Sequence, residues 1–422
     1  MRSTMNITTV MCLALSGLVT TLSACTEERD PITGTSSLRV TLVSPTDRGS
    51  SDPLDRLGEG DRNIVVTITA LDYEGNVDTS FQGEVQAYVQ YLGTLTPYLS
   101  GAPLATVTLV NGVASSKMIT LPPTTFGPTT VWFDDGKNAE PTFATGSTEP
   151  LWFRDPFIRD IQTPRDEMAL DALSKSPLET KQISVRTSRH GALGRLVVNS
   201  VFAQGYTLSD VLCADATGRP PCTAEAYDHV MVFSFSAPRF DEDDEDGGTS
   251  ILQQGQVIDG FAGGISEFNG LTEIGFPRTF VKGAVQIDNA RIPAPKRLEA
   301  GRAGETTDWF GPLSDPDGII NFERNEAAPI EVLGGVVCKL DDDYTTYKQW
   351  KVDPKGVPTP GGVDCSRNKN VLNVISSAVT EVDPTTLVGK TVTRLVGVVR
   401  PVSIGSFNVW IIFPRTSADI TP

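Results

Sequence analysis

The chain has 422 residues, of which 39% are hydrophobic and 7% aromatic, and it carries a formal net charge of −17. That length suggests two to four domains, and the apolar content can fill ordinary cores. A surface this acidic repels nucleic acid and anionic lipid at long range, which disfavours a polyanionic partner unless a local basic face exists.

The N-terminal stretch sets where the chain goes. Arg2 precedes an apolar run from Val10 to Leu22, which ends in small residues; this is the layout of a secretory signal. Leu22-Ser23-Ala24-Cys25 resembles the lipobox of bacterial lipoproteins. The resemblance implies removal of residues 1–24, a diacylglyceryl group on the Cys25 sulfur and acylation of the new amino end. Thr26 stands where an Asp would favour the inner membrane, so the family pattern points to the outer one. The rival readings are an ordinary signal peptide or a short membrane helix, but the apolar run is too short for a comfortable span. Acyl chains add about 0.8 kcal/mol per buried CH₂, so several hold where one does not. Residues 25–36 lack periodicity and read as a tether.

The fold class expected from there on is all-β. Within 37–153, Asn63 to Ala70 shows β-branched alternation, Gly83 to Val89 follows, and Ala105 to Val110 meets an Asn111-Gly112 turn before Val113 to Leu121 returns. The phrases Ala70 to Asp78 and Leu109 to Ala114 resemble those of bacterial immunoglobulin-like domains, which implies a β-sandwich acting as spacer or stalk.

A second β unit spans 157–297, with strands at Leu196 to Phe202, Gly205 to Asp210, His229 to Phe235 and Gly255 to Phe261. Its hairpin phrase Ser266-Glu267-Phe268-Asn269-Gly270-Leu271-Thr272-Glu273-Ile274 and its close at Arg291 to Pro295 resemble the OB-fold modules beside secreted bacterial nucleases. A turn-rich connector, 298–328, leads to 329–422, where Ile330 to Val337 and Tyr344 to Val352 read as paired strands. Gly389 to Val399 echoes Gly255 to Ile265 at an offset of about 134 residues. This reads as a second, weaker OB-like copy.

With Cys12 lost and Cys25 lipidated, Cys213, Cys222, Cys338 and Cys365 remain as two local pairs. In an exported chain these read as disulfides. A four-Cys zinc site is the rival, though no C-x-x-C spacing exists.

Catalytic marks are few, and an enzyme is not expected. His190 and His229 stand outside any H-E-x-x-H or triad-like phrase. Gly389-Lys390-Thr391 has Pro384 where a phosphate loop needs Gly, and no nuclease catalytic domain follows the OB-like phrase. The run Asp241 to Asp246 offers Asp243, Asp244 and Asp246 as calcium ligands, but Leu252 falls where an EF-hand needs a bidentate Glu. Asp315-Pro316-Asp317-Gly318 reads as a turn. OB barrels stack ligands on aromatics, and Tyr206, Phe261 and Phe268 lie on the relevant strands, with Arg195, Arg278 and Lys282 as sparse basic neighbours. No cofactor is expected. The expected partners are the membrane, through the lipid, and a protein, glycan or envelope component; nucleic acid is the rival ligand, beside an extracellular nuclease.

Overall fold

The structure is a computed structural model describing residues 33–91, 102–137, 141–169, 175–242, 249–298, 316–368, 371–404 and 407–422. Signal segment, Cys25, most of the tether and the candidate calcium ligands Asp243, Asp244 and Asp246 lie outside the described residues. Among those described, no helix is long and apolar enough to cross a membrane.

The first unit follows from the two-residue period of its strands. They are β1 (Ser37–Ser44), β2 (Asn63–Leu71), β3 (Gly83–Tyr91), β4 (Ala105–Leu109), β5 (Val113–Thr120), β6 (Pro128–Asp134), β7 (Gly146–Ser147) and β8 (Leu151–Trp152). One sheet has the order β1-β2-β5, and the other runs β4-β3-β6-β7 with β8 on β6. Ile64, Val66 and Ile68 of the first sheet meet Val85, Ala87, Val131 and Phe133 of the second in one core. The expected turn at Asn111-Gly112 is present, with φ of 50° and 76° and a single antiparallel bridge from Val110 to Val113, but the expected hairpin is not: β4 pairs with β3 and β5 with β2, so the turn carries the chain from one sheet to the other. A Cβ on Gly112 would stand 2.3 Å from the Asp78 carbonyl oxygen, so glycine is needed there for space as well as for φ.

The second unit opens with α1 (Ile158–Gln162) and continues through β9 (Gln182–Val185), β10 (Gly194–Phe202), β11 (Gly205–Leu212), β12 (His229–Phe233), β13 (Arg239–Glu242), β14 (Thr249–Ile251), β15 (Val257–Ile258), β16 (Gly260–Phe268) and β17 (Leu271–Val281). β18 (Lys296–Leu298) leads to the third unit: α2 (Pro316–Arg324), β19 (Pro329–Leu333), β20 (Val336–Val337), α3 (Asp342–Tyr347), β21 (Gln349–Asp353), β22 (Leu372–Ile375), β23 (Arg394–Ile404), β24 (Phe407–Phe413) and β25 (Ile420–Thr421).

Six strands of these two units pair in the same order and sense. β9 lies antiparallel to β16, β10 to β11, β11 to β12 and β16 to β17, while β12 runs parallel to β17. β19, β20, β21, β22, β23 and β24 repeat that pattern. The glycines agree. A Cβ on Gly263 would meet Ile274 Cγ2 at 2.5 Å and the Gly275 oxygen at 2.7 Å. On Gly397 it would meet Ile412 Cγ2 at 2.6 Å and the Phe413 oxygen at 2.7 Å. Both expected cysteine pairs are disulfides, Cys213–Cys222 and Cys338–Cys365, each closing a local loop and contributing about 2–4 kcal/mol.

Two further sequence expectations change. Asp315 lies outside the described residues, but Pro316 opens α2 instead of sitting in a turn; proline suits a first helical turn, where its missing N–H would be unpaired anyway. The strand expected from Tyr344 starts only at Gln349, because Asp341 caps α3 by accepting from the Asp343 amide (3.1 Å) and Lys348 ends it at φ 60°.

The units are joined through charged side chains. Arg154 donates to Asp160 (2.7 Å) and Glu59 (2.9 Å) and lies over the rings of Phe126 and Phe157, tying the first unit to the second. The last turn of α2 and the turn after it press Glu323 and Glu326 into the second unit, where they are 6% and 3% exposed. Glu326 Oε1 accepts from Gln162 Nε2 and from the Thr272 amide, both at 3.2 Å. Glu267 Oε1 accepts from the Ser176 amide (2.6 Å) and Thr272 Oγ1 (2.8 Å). The second oxygen of each of these two carboxyls has no partner among the described residues. Burial, reinforced by the neighbouring carboxylates, pushes Glu323 and Glu326 well above the usual range and Glu267 up to about 7. Glu273 and Arg400 of β23, both half-buried, flank the same seam.

A carboxyl whose folded pKa exceeds its unfolded value supports folding fully at low pH and loses that support as pH rises through the folded value. For Glu267 the window runs from 4.5 to about 7. Stability should therefore fall from acid to neutral pH, and Glu267→Gln, which keeps an oxygen for Ser176 and Thr272, should flatten the fall. Denaturant titrations below and above that window check this; identical pH slopes in both proteins would contradict it.

Candidate ligand-binding site

β17 starts from the Asn269-Gly270 turn, where φ of 56° and 81° give a tight hairpin. Its pairing with β16 then slips. Ala262 faces Arg278 and Gly264 faces Gly275, so Phe276 and Pro277 both stand opposite Gly263. That bulge reverses which side of the strand is inner. Thr272 and Ile274 are buried before it, Thr279 and Val281 after it. Arg278, Phe280 and Lys282 therefore point outward.

Phe276 itself is held at φ 50° and is 82% exposed. Phe235, at φ 58° and 57% exposed, lies beside it with ring centroids 5.2 Å apart, and Phe233 stands 4.6 Å from Phe235. A bulky side chain in left-handed backbone is an outlier, at about 1–3 kcal/mol each. Two adjacent outliers thus hold two rings in solvent. Further along, the guanidinium groups of Arg186 and Arg278 lie 5.4 and 5.3 Å from the Phe280 ring centroid. Arg278 is also paired with Asp241.

The strip ends in a cleft of about 370 Å³ lined by Arg186, Ser188, Arg195, Asp259, Lys282 and Gln286, among others. Arg195 is committed to the carbonyls of Ala192, Gly194 and Ala216. Asp259 accepts from the Lys282 backbone amide at 2.6 Å, while the Lys282 ammonium has no ion-pair partner among the described residues. Arg186 donates through Nε to Ser184 Oγ at 3.1 Å and feels Asp155 electrostatically.

The loop from β9 to β10 that walls this cleft is fixed by a buried network. Asp228, fully buried, accepts from Arg189 Nε (2.7 Å) and Nη2 (2.8 Å) and from Arg159 Nε (3.2 Å). Asp210 accepts from Ser188 Oγ and from the Arg189 amide, and burial pushes its carboxyl up to about 6.

The residues expected to meet a ligand divide. Tyr206 and Phe261 are fully buried, and Tyr206 bonds Thr279 through its hydroxyl at 2.7 Å. Their rings fill the core because β11 and β16 are covered on the side where these residues point, so they leave no face for a ligand. Phe268 is 62% exposed at the hairpin tip, away from the cleft. Arg195, Arg278 and Lys282 come together as part of one surface. Phe235, Phe276, Phe280 and Arg186 were missed; the signal available was Pro277, a non-donor inside an apparent strand, which marks a bulge.

His229 bonds Ser209 Oγ through Nδ1 at 2.6 Å, a pairing that resembles a nucleophile with its base. Ser209 is fully buried and also accepts from Asn199 (2.6 Å), and burial lowers His229 to about 4. A substrate has no path to that oxygen in this conformation, so the pair serves packing between β11 and β12. Among the described residues, no group of three or more His, Cys, Asp or Glu side chains is arranged to hold a metal ion.

No family model, no curated protein and no solved structure matches this chain.

Because the bulge needs a bare Cα opposite it, Gly263→Ala should lower stability by about 1–3 kcal/mol, the usual range for overpacking. Gly275→Ala, whose Cβ would meet only the Gly264 oxygen at 3.9 Å, should cost less. Thermal unfolding of the two variants tests the ranking, and equal losses would contradict it.

Proposed function

We propose that the protein is a lipid-anchored, non-catalytic lipoprotein of the cell envelope, held at the outer membrane through Cys25. In this reading an immunoglobulin-like sandwich stands next to the lipid and carries two OB-like barrels, the first of which presents a ligand face. The reading of anchorage rests on Leu22-Ser23-Ala24-Cys25. The reading of binding rests on one observation: the outward strip of β17, with its paired phenylalanines, runs into an open cleft. Clefts with a few convergent polar groups are the default place for a ligand. The Ser–His pair and the fully buried carboxylates Asp210 and Asp228 are engaged in internal bonds, which favours recognition over turnover.

One feature supports a second reading, a nucleic-acid module working beside a separate nuclease. Aromatic rings interleaved with cations, as in Phe276, Arg278, Phe280 and Lys282, suit stacked bases and phosphates.

Two measurements test these readings. Intact mass of protein from cells should show an acylated Cys25, and Cys25→Ser should move the protein from the detergent phase to the aqueous phase. Freely released protein with an unmodified thiol would contradict anchorage. For the second reading, affinity for single-stranded DNA should fall steeply as salt rises; no retention at low salt would remove it.

A further inference from the structure

We infer that the Phe276–Lys282 strip and its cleft bind a sparsely charged anionic glycan, with sugar rings against Phe235 and Phe276 and an acid group at Lys282 and Arg186. The inference rests on the reading that this barrel carries the ligand face, and it names the ligand class.

Three observations point there. Phe235 and Phe276 are side by side, outward and in left-handed backbone, which gives an exposed apolar surface of two ring faces tilted by 38° to each other. Such a surface takes any ligand with a flat, weakly polar face, including the C–H face of a pyranose ring. Ser234, Ser236 and Gln204 stand next to it, and Ser234 donates through its amide to the Gln204 carbonyl at 2.8 Å. The Ser234 hydroxyl donates to the Ser236 carbonyl at 2.6 Å and the Ser236 hydroxyl to the Ser234 carbonyl at 3.4 Å, so both offer acceptor lone pairs to sugar hydroxyls.

The count of available cations then separates the anionic ligands. Of the four around the strip, Arg278 is paired with Asp241 and Arg195 with three carbonyls. Lys282 has no ion-pair partner, and Arg186 has no salt bridge among the described residues. That leaves two groups to meet two anions at most. A polynucleotide brings a phosphate every 3.4 Å or so of each strand, and most of them would face a protein of charge −17 unneutralised. A glycan with an acid group on alternate sugars brings no such excess. The strip is long enough for it: the six residue-to-residue steps of extended chain from Phe276 to Lys282 reach roughly 20 Å.

The test is a titration of the full processed chain with three probes. They are a hyaluronan octasaccharide, with one carboxylate per two sugars, an uncharged chitin oligosaccharide of matched length, and a dT oligonucleotide. Saturable hyaluronan binding is expected, at least tenfold tighter than for the uncharged oligomer, with a salt slope of about −1 to −2, as one or two contacts require. Phe276→Ala and Lys282→Ala should each weaken it tenfold or more without lowering the melting temperature, while Lys282→Arg retains most of it. Leu54→Ala, in the first unit and 95% exposed, should leave it unchanged. Equal binding of the uncharged oligomer, dT bound more tightly with a steep salt slope, or no saturation by hyaluronan would each overturn the inference. Loss of binding with Cys25 found acylated would refute the ligand class alone; binding by a protein never acylated would refute the anchorage alone.

Discussion

The outer surface of the second unit depends on one irregularity, the two-against-one bulge where Phe276 and Pro277 face Gly263. An unbroken β17 would alternate in a single phase and send Arg278, Phe280 and Lys282 toward the core if Ile274 points there. Burial of three such residues, two of them charged, would cost far more than the left-handed backbone of Phe276. The bulge resolves the conflict: Ile274 fills the core on one side of it, Thr279 and Val281 on the other. Gly263 makes it possible, since any side chain there would strike Ile274 and the Gly275 carbonyl.

The third unit shows what the same framework does without it. Gly397 occupies the same place against Ile412 and Phe413, and the six shared strands pair alike. Yet β24 ends at Phe413 and is followed by Pro414. The next cation, Arg415, is clamped by both oxygens of Asp419, at 3.1 and 3.0 Å. Among the described residues no comparable outward strip follows β24, and the proposed ligand face is therefore assigned to the second unit. The third instead supplies Glu323 and Glu326 to the seam, where burial and the neighbouring carboxylates raise both carboxyls well above the usual range and so favour their neutral forms.

Much of the framework was legible because it follows from local chemistry. Alternation in Asn63 to Ala70, the Asn-Gly turns, the two short cysteine loops and the echo between Gly255 and Gly389 all rest on neighbours in sequence. Gly255 and Gly389 even share a left-handed φ, 77° and 75°. The site was less legible. Tyr206 and Phe261 sit on strands that alternate, but alternation gives two faces without saying which is wet, and the packing of Ile158 and Ile161 of α1 into the same core decided it. Phe276 was hidden for the opposite reason: a bulge breaks the period on which the reading relies. The seam was invisible because Gln162 and Glu326, 164 residues apart, meet only in the folded chain.

In the proposed reading, ligand recognition is confined to one strip of the second unit. Amide hydrogen exchange of the processed chain, with and without the hyaluronan oligosaccharide, tests it most directly. Slowed exchange is expected along Phe276 to Lys282, in the Ser234–Ser236 loop and at Arg186–Ser188, with the first and third units unchanged. Protection centred on another unit, or none at saturating ligand, would contradict it.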